Sequence, residues 1–351
     1  LRQKGQVLDE GSSIEPREWP AVLFTRTQEG GKTRPVWGYP MYTLSQEGMY
    51  FLPFFEMFRN LPYCTAYSGP DAVDEAISKI LYTKRSGDKV YSIDLSGYDQ
   101  SIPPEAIYKV FDFIRKLFQA GASIDEDFRF IADNFVNIGL VTPDGVITGP
   151  HGIPSGSWFT SIVGSYVHLV VQASIRKLVP SRCQVMGDDG VIVLPPSLKK
   201  EDVADAYSKF NLTFNEDKSF ESTDEIIYLQ RYYGPDYKHD GIHRGIYPVY
   251  RALNRLIHME RWTNVEKISG ADYFSIRAIA ILENCKWHPM HRAFVKWVHG
   301  KDKYSLEYSS QGLAEYITRF QPKTATTIKN QYSDNVSGIQ NFETVKILKE
   351  L

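Results

Sequence analysis

The chain has 351 residues, with 40 Lys and Arg against 42 Asp and Glu, for a formal charge of −2 at pH 7. Its 42% hydrophobic and 23% charged content excludes general disorder. Three scattered cysteines (Cys64, Cys183 and Cys285), with no CxxC pair, exclude a disulfide scaffold and fit a reducing compartment. Near-neutral charge also excludes a wholly basic nucleic-acid binder, so a nucleic acid would have to run in a local basic channel.

The length suggests about two domains. No internal period recurs, against a solenoid. The most apolar stretch, Trp158–Ile175, is interrupted by Thr160, Ser161, Ser165, His168 and Gln172, too polar for a membrane span. No charged-then-apolar leader opens the chain, and Leu1 stands where a Met would, so a fragment or processed product is expected.

In chain order, residues 1–20 read as a polar arm. Residues 25–40, punctuated by Gly and Pro and carrying Arg26, Lys32 and Arg34, read as an extended basic loop. A helix is predicted over 70–86 from the stripe Val73, Ile77, Ile80 and Leu81, then a buried strand over Lys89–Leu95. Pro103-Pro104 opens a strong helix over Glu105–Gln119. Residues 140–154 are turn-rich, and a long helix is expected from about Gly156 to Lys177. Gln184–Met186, the turn Gly187-Asp188-Asp189-Gly190 and Val191–Leu194 form a β-hairpin pattern. Residues 199–210 read as helix, 211–216 as extended and 226–234 as strand, and the pattern is mostly helical from about 250.

Five features carry chemistry. Adjacent Asp188 and Asp189 at a turn repel one another, a cost that a divalent cation removes; by itself an Asp-Gly turn is only a good hairpin former. The strand ending in Asp94, with Asp99 five residues on, can bring a carboxylate to Asp188 only if the two strands are neighbours in one sheet. Carboxylates so paired suit two Mg²⁺ ions and phosphoryl transfer. The loop His151-Gly-Ile-Pro-Ser-Gly-Ser157 allows close backbone approach to a ligand before a helix. Lys32 and Arg34, in Gly30-Gly-Lys-Thr-Arg-Pro-Val-Trp-Gly-Tyr-Pro40, suit a triphosphate, although the spacing is not that of a Walker loop. Lys218, in Asn215-Glu-Asp-Lys-Ser219, suits protonation of a leaving pyrophosphate. His151, His168, His243 and His258 are too scattered for a zinc site.

Taken in order, from about Arg26 to Gly234, these features resemble the RNA-dependent RNA polymerases of RNA viruses. Thr33-Arg-Pro-Val-Trp-Gly-Tyr-Pro40 and Gly152-Ile-Pro-Ser-Gly-Ser-Trp-Phe-Thr160 resemble most the polymerases of small double-stranded-RNA viruses, the partitivirus and picobirnavirus group. The resemblance implies an α+β right-hand fold, truncated at the N-terminus: fingers over 1–88 and 125–150, palm with an antiparallel sheet over 89–124 and 151–235, and a mostly helical thumb over 236–351. It implies Asp94, Asp188 and Asp189 as catalytic metal ligands for two Mg²⁺ or Mn²⁺ ions and Lys218 as general acid. Arg26, Lys32 and Arg34 would contact the triphosphate, Asp99 the ribose, and Ser155, Gly156 and Thr160 the template and nucleotide; Tyr228–Tyr233 would lie near the primer. The implied partners are RNA template and product, ribonucleoside triphosphates and a viral capsid protein, in the host cytoplasm within virus particles.

One departure is Gly164, where many members carry the Asn or Asp that helps read the ribose 2′-OH. That reading would fall to Asp99, Ser155, Thr160 or Ser165, with Asp99 and Thr160 preferred. Two rivals remain: a reverse transcriptase, against which Met186-Gly187 and Asp99 argue, and an inactive polymerase-like RNA-binding fragment, against which the intact set of acidic residues and Lys218 argues.

Overall fold

The computed structural model describes residues 15–27, 33–259, 268–320 and 338–351. The described part of Leu1–Arg26 joins Thr33–Tyr67 and Glu75–Leu229 in one compact unit; Ser68–Asp74 and Gln230–Leu351 belong to a second.

In chain order come β1 (Ala21–Thr27), β2 (Thr33–Gly38), α1 (Met41–Phe58), α2 (Pro70–Thr83), β3 (Lys89–Ile93), β4 (Leu95–Ser96), α3 (Tyr98–Ser101), α4 (Pro104–Arg115) and α5 (Ala122–Asn137). Then follow β5 (Leu140–Thr142), β6 (Gly145–Ile147), α6 (Thr160–Ile175), β7 (Cys183–Met186), β8 (Asp189–Leu194), α7 (Lys200–Ser208), β9 (Thr213–Phe214), β10 (Phe220–Ser222) and β11 (Ile226–Tyr228). The chain continues through β12 (Arg231–Tyr233), β13 (Lys238–His239), β14 (Ile242–His243), α8 (Val249–Ile257), α9 (Gly270–Glu283), α10 (His291–Lys301), α11 (Ser310–Phe320) and a closing helix, Glu343–Leu348.

The central sheet of the first unit is antiparallel, in the order β10-β3-β8-β7. Its two middle strands, Lys-Val-Tyr-Ser-Ile and Asp-Gly-Val-Ile-Val-Leu, are buried at nearly every position, as strands covered on both faces must be. α4 starts with Pro104 in its first turn and buries the stripe Ile107, Val110, Phe111 and Ile114. With α1, α5 and α6 it contributes to one apolar core that includes Phe51, Phe111, Phe135 and Phe159. In the second unit, Ile276, Ile279 and Leu282 of α9 pack with Val295 and Val345. Asp74 is buried there, where it accepts hydrogen bonds from Tyr233 Oη at 3.0 Å and Gly245 N at 3.2 Å. Among the described residues, no helix is long and apolar enough to cross a membrane.

Several sequence expectations change. The basic loop over 25–40 is largely strand: β1 and β2 belong to a sheet of order β2-β1-β5-β6. Pro35 sits in β2, at the sheet edge, where a missing N–H breaks no internal ladder. The long helix begins at Thr160 rather than Gly156, because 155–159 is turn. The hairpin turn is only Gly187-Asp188: Asp189 already opens β8, paired with Met186. The strand expected over 226–234 breaks into β11 and β12, with Leu229 and Gln230 between them in the left-handed region at φ 50° and 62°.

Candidate active site

Ile93 lies opposite Gly190, so Asp94, the first residue beyond β3, stands beside the Gly187-Asp188 turn at the end of β8. The backbone of Asp94 is held from below: Asn215 N donates to Asp94 O at 3.0 Å, and Asp94 N donates to Ser219 Oγ at 3.1 Å. Gly187 takes φ +61°, a conformation that glycine adopts without strain. Asp99 follows on α3, its carbonyl accepting from Ile153 N at 2.7 Å. Asp99 and Asp188 are each exposed as whole residues, yet the protein around their carboxyls raises both pKa values. Burial is the main cause at each; the Asp188 charge adds to it at Asp99 and the Asp94 charge adds to it at Asp188, while Arg34 opposes it at both. β2 therefore brings Arg34 within electrostatic reach of the carboxylates.

The Ser-Gly loop is docked onto β2. Trp37 N donates to Ser155 Oγ at 3.2 Å, and the Trp37 and His151 rings stand 4.2 Å apart between centroids. A Cβ at Gly156 would lie 1.8 Å from Trp37 O, and one at Gly152 would lie 1.9 Å from Asp99 O, so neither position admits a side chain without moving the backbone. Thr160 Oγ1 donates to Pro154 O and, at 2.9 Å, to Ser157 O, closing the loop at the start of α6. Gly164 is buried where a Cβ would stand 3.3 Å from the Tyr98 ring, and Tyr98 Oη donates to its carbonyl at 2.5 Å.

The remaining residues separate. Lys218 is exposed on the turn tied to Asp94, its N–H donating to Asn215 Oδ1 at 3.3 Å. Arg26 is exposed on β1, and Lys32 lies outside the described residues. Ser165, expected near the ribose, is fully buried; its hydroxyl accepts from Gly187 N at 2.8 Å and donates to Ser161 O at 2.8 Å. Asp189 opens β8 opposite Met186, one residue beyond Asp188. Among the described residues no three His, Cys, Asp or Glu gather round one point. A two-carboxylate site still suits Mg²⁺, which is commonly held by one or two carboxylates with substrate phosphates completing its shell. Oxygen-only donors and an acidic group short of positive charge fit such a cation.

A viral RNA-dependent RNA polymerase model matches residues 21–299. The chain belongs to the viral RNA-dependent RNA polymerase family. It is 30% identical over 359 aligned positions to a potential RNA-dependent RNA polymerase of human picobirnavirus, covering 95% of this chain and 67% of the relative. An RNA-directed RNA polymerase of Cryptosporidium parvum virus 1 is 25% identical over 212 positions, covering 56% of this chain and 40% of its own length. The crystal structure of a human picobirnavirus RNA-dependent RNA polymerase superposes with a TM-score of 0.80 at 30% identity, over 94% of this chain and 65% of the other. A sicinivirus 3Dpol polymerase gives 0.61 at 16% identity over 85% of this chain and 67% of its own, a likeness of fold. These matches bear out the right-hand α+β fold and the double-stranded-RNA virus group.

Within this polymerase domain, two buried groups hold the site's loops: Glu47, absent from the sequence reading, and His168, read there as unsuited to zinc. Glu47 of α1 is fully buried; its carboxylate accepts from Ser157 Oγ and from Trp158 N, both at 2.8 Å, and so holds the loop before α6. Burial pushes its pKa up to about 7, against those two hydrogen bonds. The signal was present: Thr43, Glu47, Phe51, Phe54 and Phe58 form one helical stripe, with a carboxylate in an otherwise largely apolar row. His168 of α6 is the second, buried between Gly187 O at 2.9 Å and Tyr207 Oη at 2.6 Å. Burial lowers its pKa to about 4, which keeps the ring neutral near pH 7. Nothing local distinguishes this histidine from any other core residue.

Proposed function

We propose that this chain carries out template-directed RNA synthesis, replicating and transcribing a viral RNA genome by two-metal nucleotidyl transfer. The observation that carries the reading is the convergence of Asp94 and Asp188 at neighbouring strand ends, with the positive charge of Arg34 near Asp188. In this reading the 3′-hydroxyl of the growing RNA attacks the α-phosphate of a ribonucleoside triphosphate, and pyrophosphate leaves. Asp94 and Asp188, with Asp189 at the base of the turn, hold two Mg²⁺ or Mn²⁺ ions. When bound, these supply charge stabilisation of the attacking and leaving oxygens. Arg26, Lys32 and Arg34 bind the triphosphate, and Lys218 protonates the pyrophosphate. Asp99 faces the ribose, with Ser155, Gly156 and Thr160 tracking template and nucleotide. Ser165 acts on the site through the turn that it holds.

The same reading assigns fingers to 1–88 and 125–150, palm to 89–124 and 151–235, and thumb to 236–351. It takes the chain to work in the host cytoplasm within virus particles, beside a capsid protein. The test is incorporation of labelled ribonucleotides on a single-stranded RNA template with Mg²⁺ or Mn²⁺, beside an Asp188→Asn control. Template-dependent product that vanishes in the control supports the reading. Equal synthesis by a folded Asp188→Asn protein sinks the metal assignment, and preference for deoxynucleotides would favour a reverse transcriptase.

A further inference from the structure

We infer that α6 sets the conformation of the Gly187-Asp188 turn, with Ser165 and His168 as positioning residues that fix where the Asp188 carboxyl points. The inference rests on the reading of Asp94 and Asp188 as metal-holding carboxylates. Ser165 and His168 lie three residues apart, on one face of α6. Between them they engage both polar backbone groups of Gly187: its N–H donates to Ser165 Oγ at 2.8 Å, and its carbonyl accepts from His168 Nδ1 at 2.9 Å. A neutral imidazole carries one N–H, and the carbonyl claims it for Nδ1, leaving Nε2 to accept from Tyr207 Oη at 2.6 Å. Ser165, His168 and Tyr207 are all fully buried.

One glycine makes room for this grip: a Cβ at Gly190 would stand 2.5 Å from His168 Cε1. Gly187 itself has open space around a Cβ, so glycine there serves the left-handed φ of +61° rather than packing. The clamp adds to the Met186–Asp189 pair at the base of the turn and to the backbone hydrogen bonds that Asp188 and Asp189 make to the Asp188 carboxyl. The helix that grips the turn also begins at Thr160, whose hydroxyl closes the Ser155-Gly156 loop. Loop and turn are therefore mounted on one rigid element, and their spacing is fixed by α6.

The test measures Mn²⁺ binding to the whole chain without RNA or nucleotide, by loss of the free-ion paramagnetic resonance signal. Thermal melts check that each variant is folded. Ser165→Ala and His168→Leu should weaken Mn²⁺ binding by roughly tenfold or more, the usual scale for groups that orient metal-holding side chains. His168→Asn, whose amide N–H can take the place of Nδ1–H, should recover most of the loss; a purely space-filling role would favour Leu instead. Tyr207→Phe removes only the hydroxyl and should weaken binding in the same direction, which keeps the test open if His168→Leu does not fold. Wild-type Mn²⁺ binding by folded Ser165→Ala and Tyr207→Phe, with binding lost in Asp188→Asn, overturns the clamp alone. Wild-type binding by Asp188→Asn overturns the metal reading beneath it.

Discussion

Replacing Glu47 by glutamine isolates the cost of a charge buried beneath the Ser155-Gly156 loop. The carboxylate is fully enclosed, and its folded-state pKa rises from 4.5 to about 7. At about 1.4 kcal/mol for each tenfold change in proton affinity, that rise corresponds to about 3 kcal/mol. The native state holds its proton more tightly than the unfolded chain, so stability from this group is fully present below pH 4.5. It is lost as pH rises through about 7 and levels off above. The glutamine of a Glu47→Gln variant would keep the shape and carry no charge: its carbonyl can accept from Trp158 N while its amide donates to Ser157 Oγ. Urea or thermal denaturation of both proteins from pH 5 to pH 8.5 should show a difference that grows with pH. The variant should be the more stable form above neutrality by about 3 kcal/mol, with little difference near pH 5. A difference that stays constant with pH, or a variant less stable than wild type at pH 8.5, would refute the assignment of a strained buried charge at this position.

Asp94→Ala and Asp188→Asn should each abolish nucleotide incorporation while leaving the melting transition in place; product from a folded Asp188→Asn protein decides against the site. Lys218→Ala should slow single-turnover incorporation with RNA affinity retained, because the side chain is exposed and holds up no packing; an unchanged rate returns Lys218 to ordinary surface charge. Gly156→Ala forces a Cβ to within 1.8 Å of Trp37 O, so the loop must shift or β2 must yield. A loss of about 1–3 kcal/mol in urea unfolding is expected from overpacking of this kind, and a stability equal to wild type would show that the docking is loose.

Elements with a strong local period are legible in the sequence. β3, the β7–β8 hairpin and α4 follow from continuous apolar strands and a Pro-led helical stripe, and the order of acidic and basic residues along the chain suffices for the family. α1 is not, because Gly48 and Pro53 interrupt its pattern and Pro40 supplies no capping side chain. β2 reads as loop, since an edge strand tolerates the Pro and Gly that usually signal a turn. The start of α6 falls four residues later than its pattern suggests because Gly156 serves a backbone crossing with Trp37, a contact that no local pattern encodes.

The same distinction applies within the site. The acidic residues Asp94, Asp99 and Asp188 announce themselves by type and spacing, since carboxylates at strand ends and turns have few other reasons to gather. What holds them is spread across distant segments: Asn215 and Ser219 under Asp94, Ile153 against Asp99, and Ser165 and His168 on Gly187. These groups are neutral, and most are buried and spend their hydrogen bonds on backbone, so each looks like an ordinary core or turn residue in one dimension. The repelling charges at Asp99 and Asp188, with raised pKa values, are costly in the fold without a cation. A clamp on the Gly187 backbone holds the turn without occupying the Asp188 carboxyl itself, whose hydrogen bonds come from the backbone of Asp188 and Asp189, an arrangement suited to a metal-dependent site.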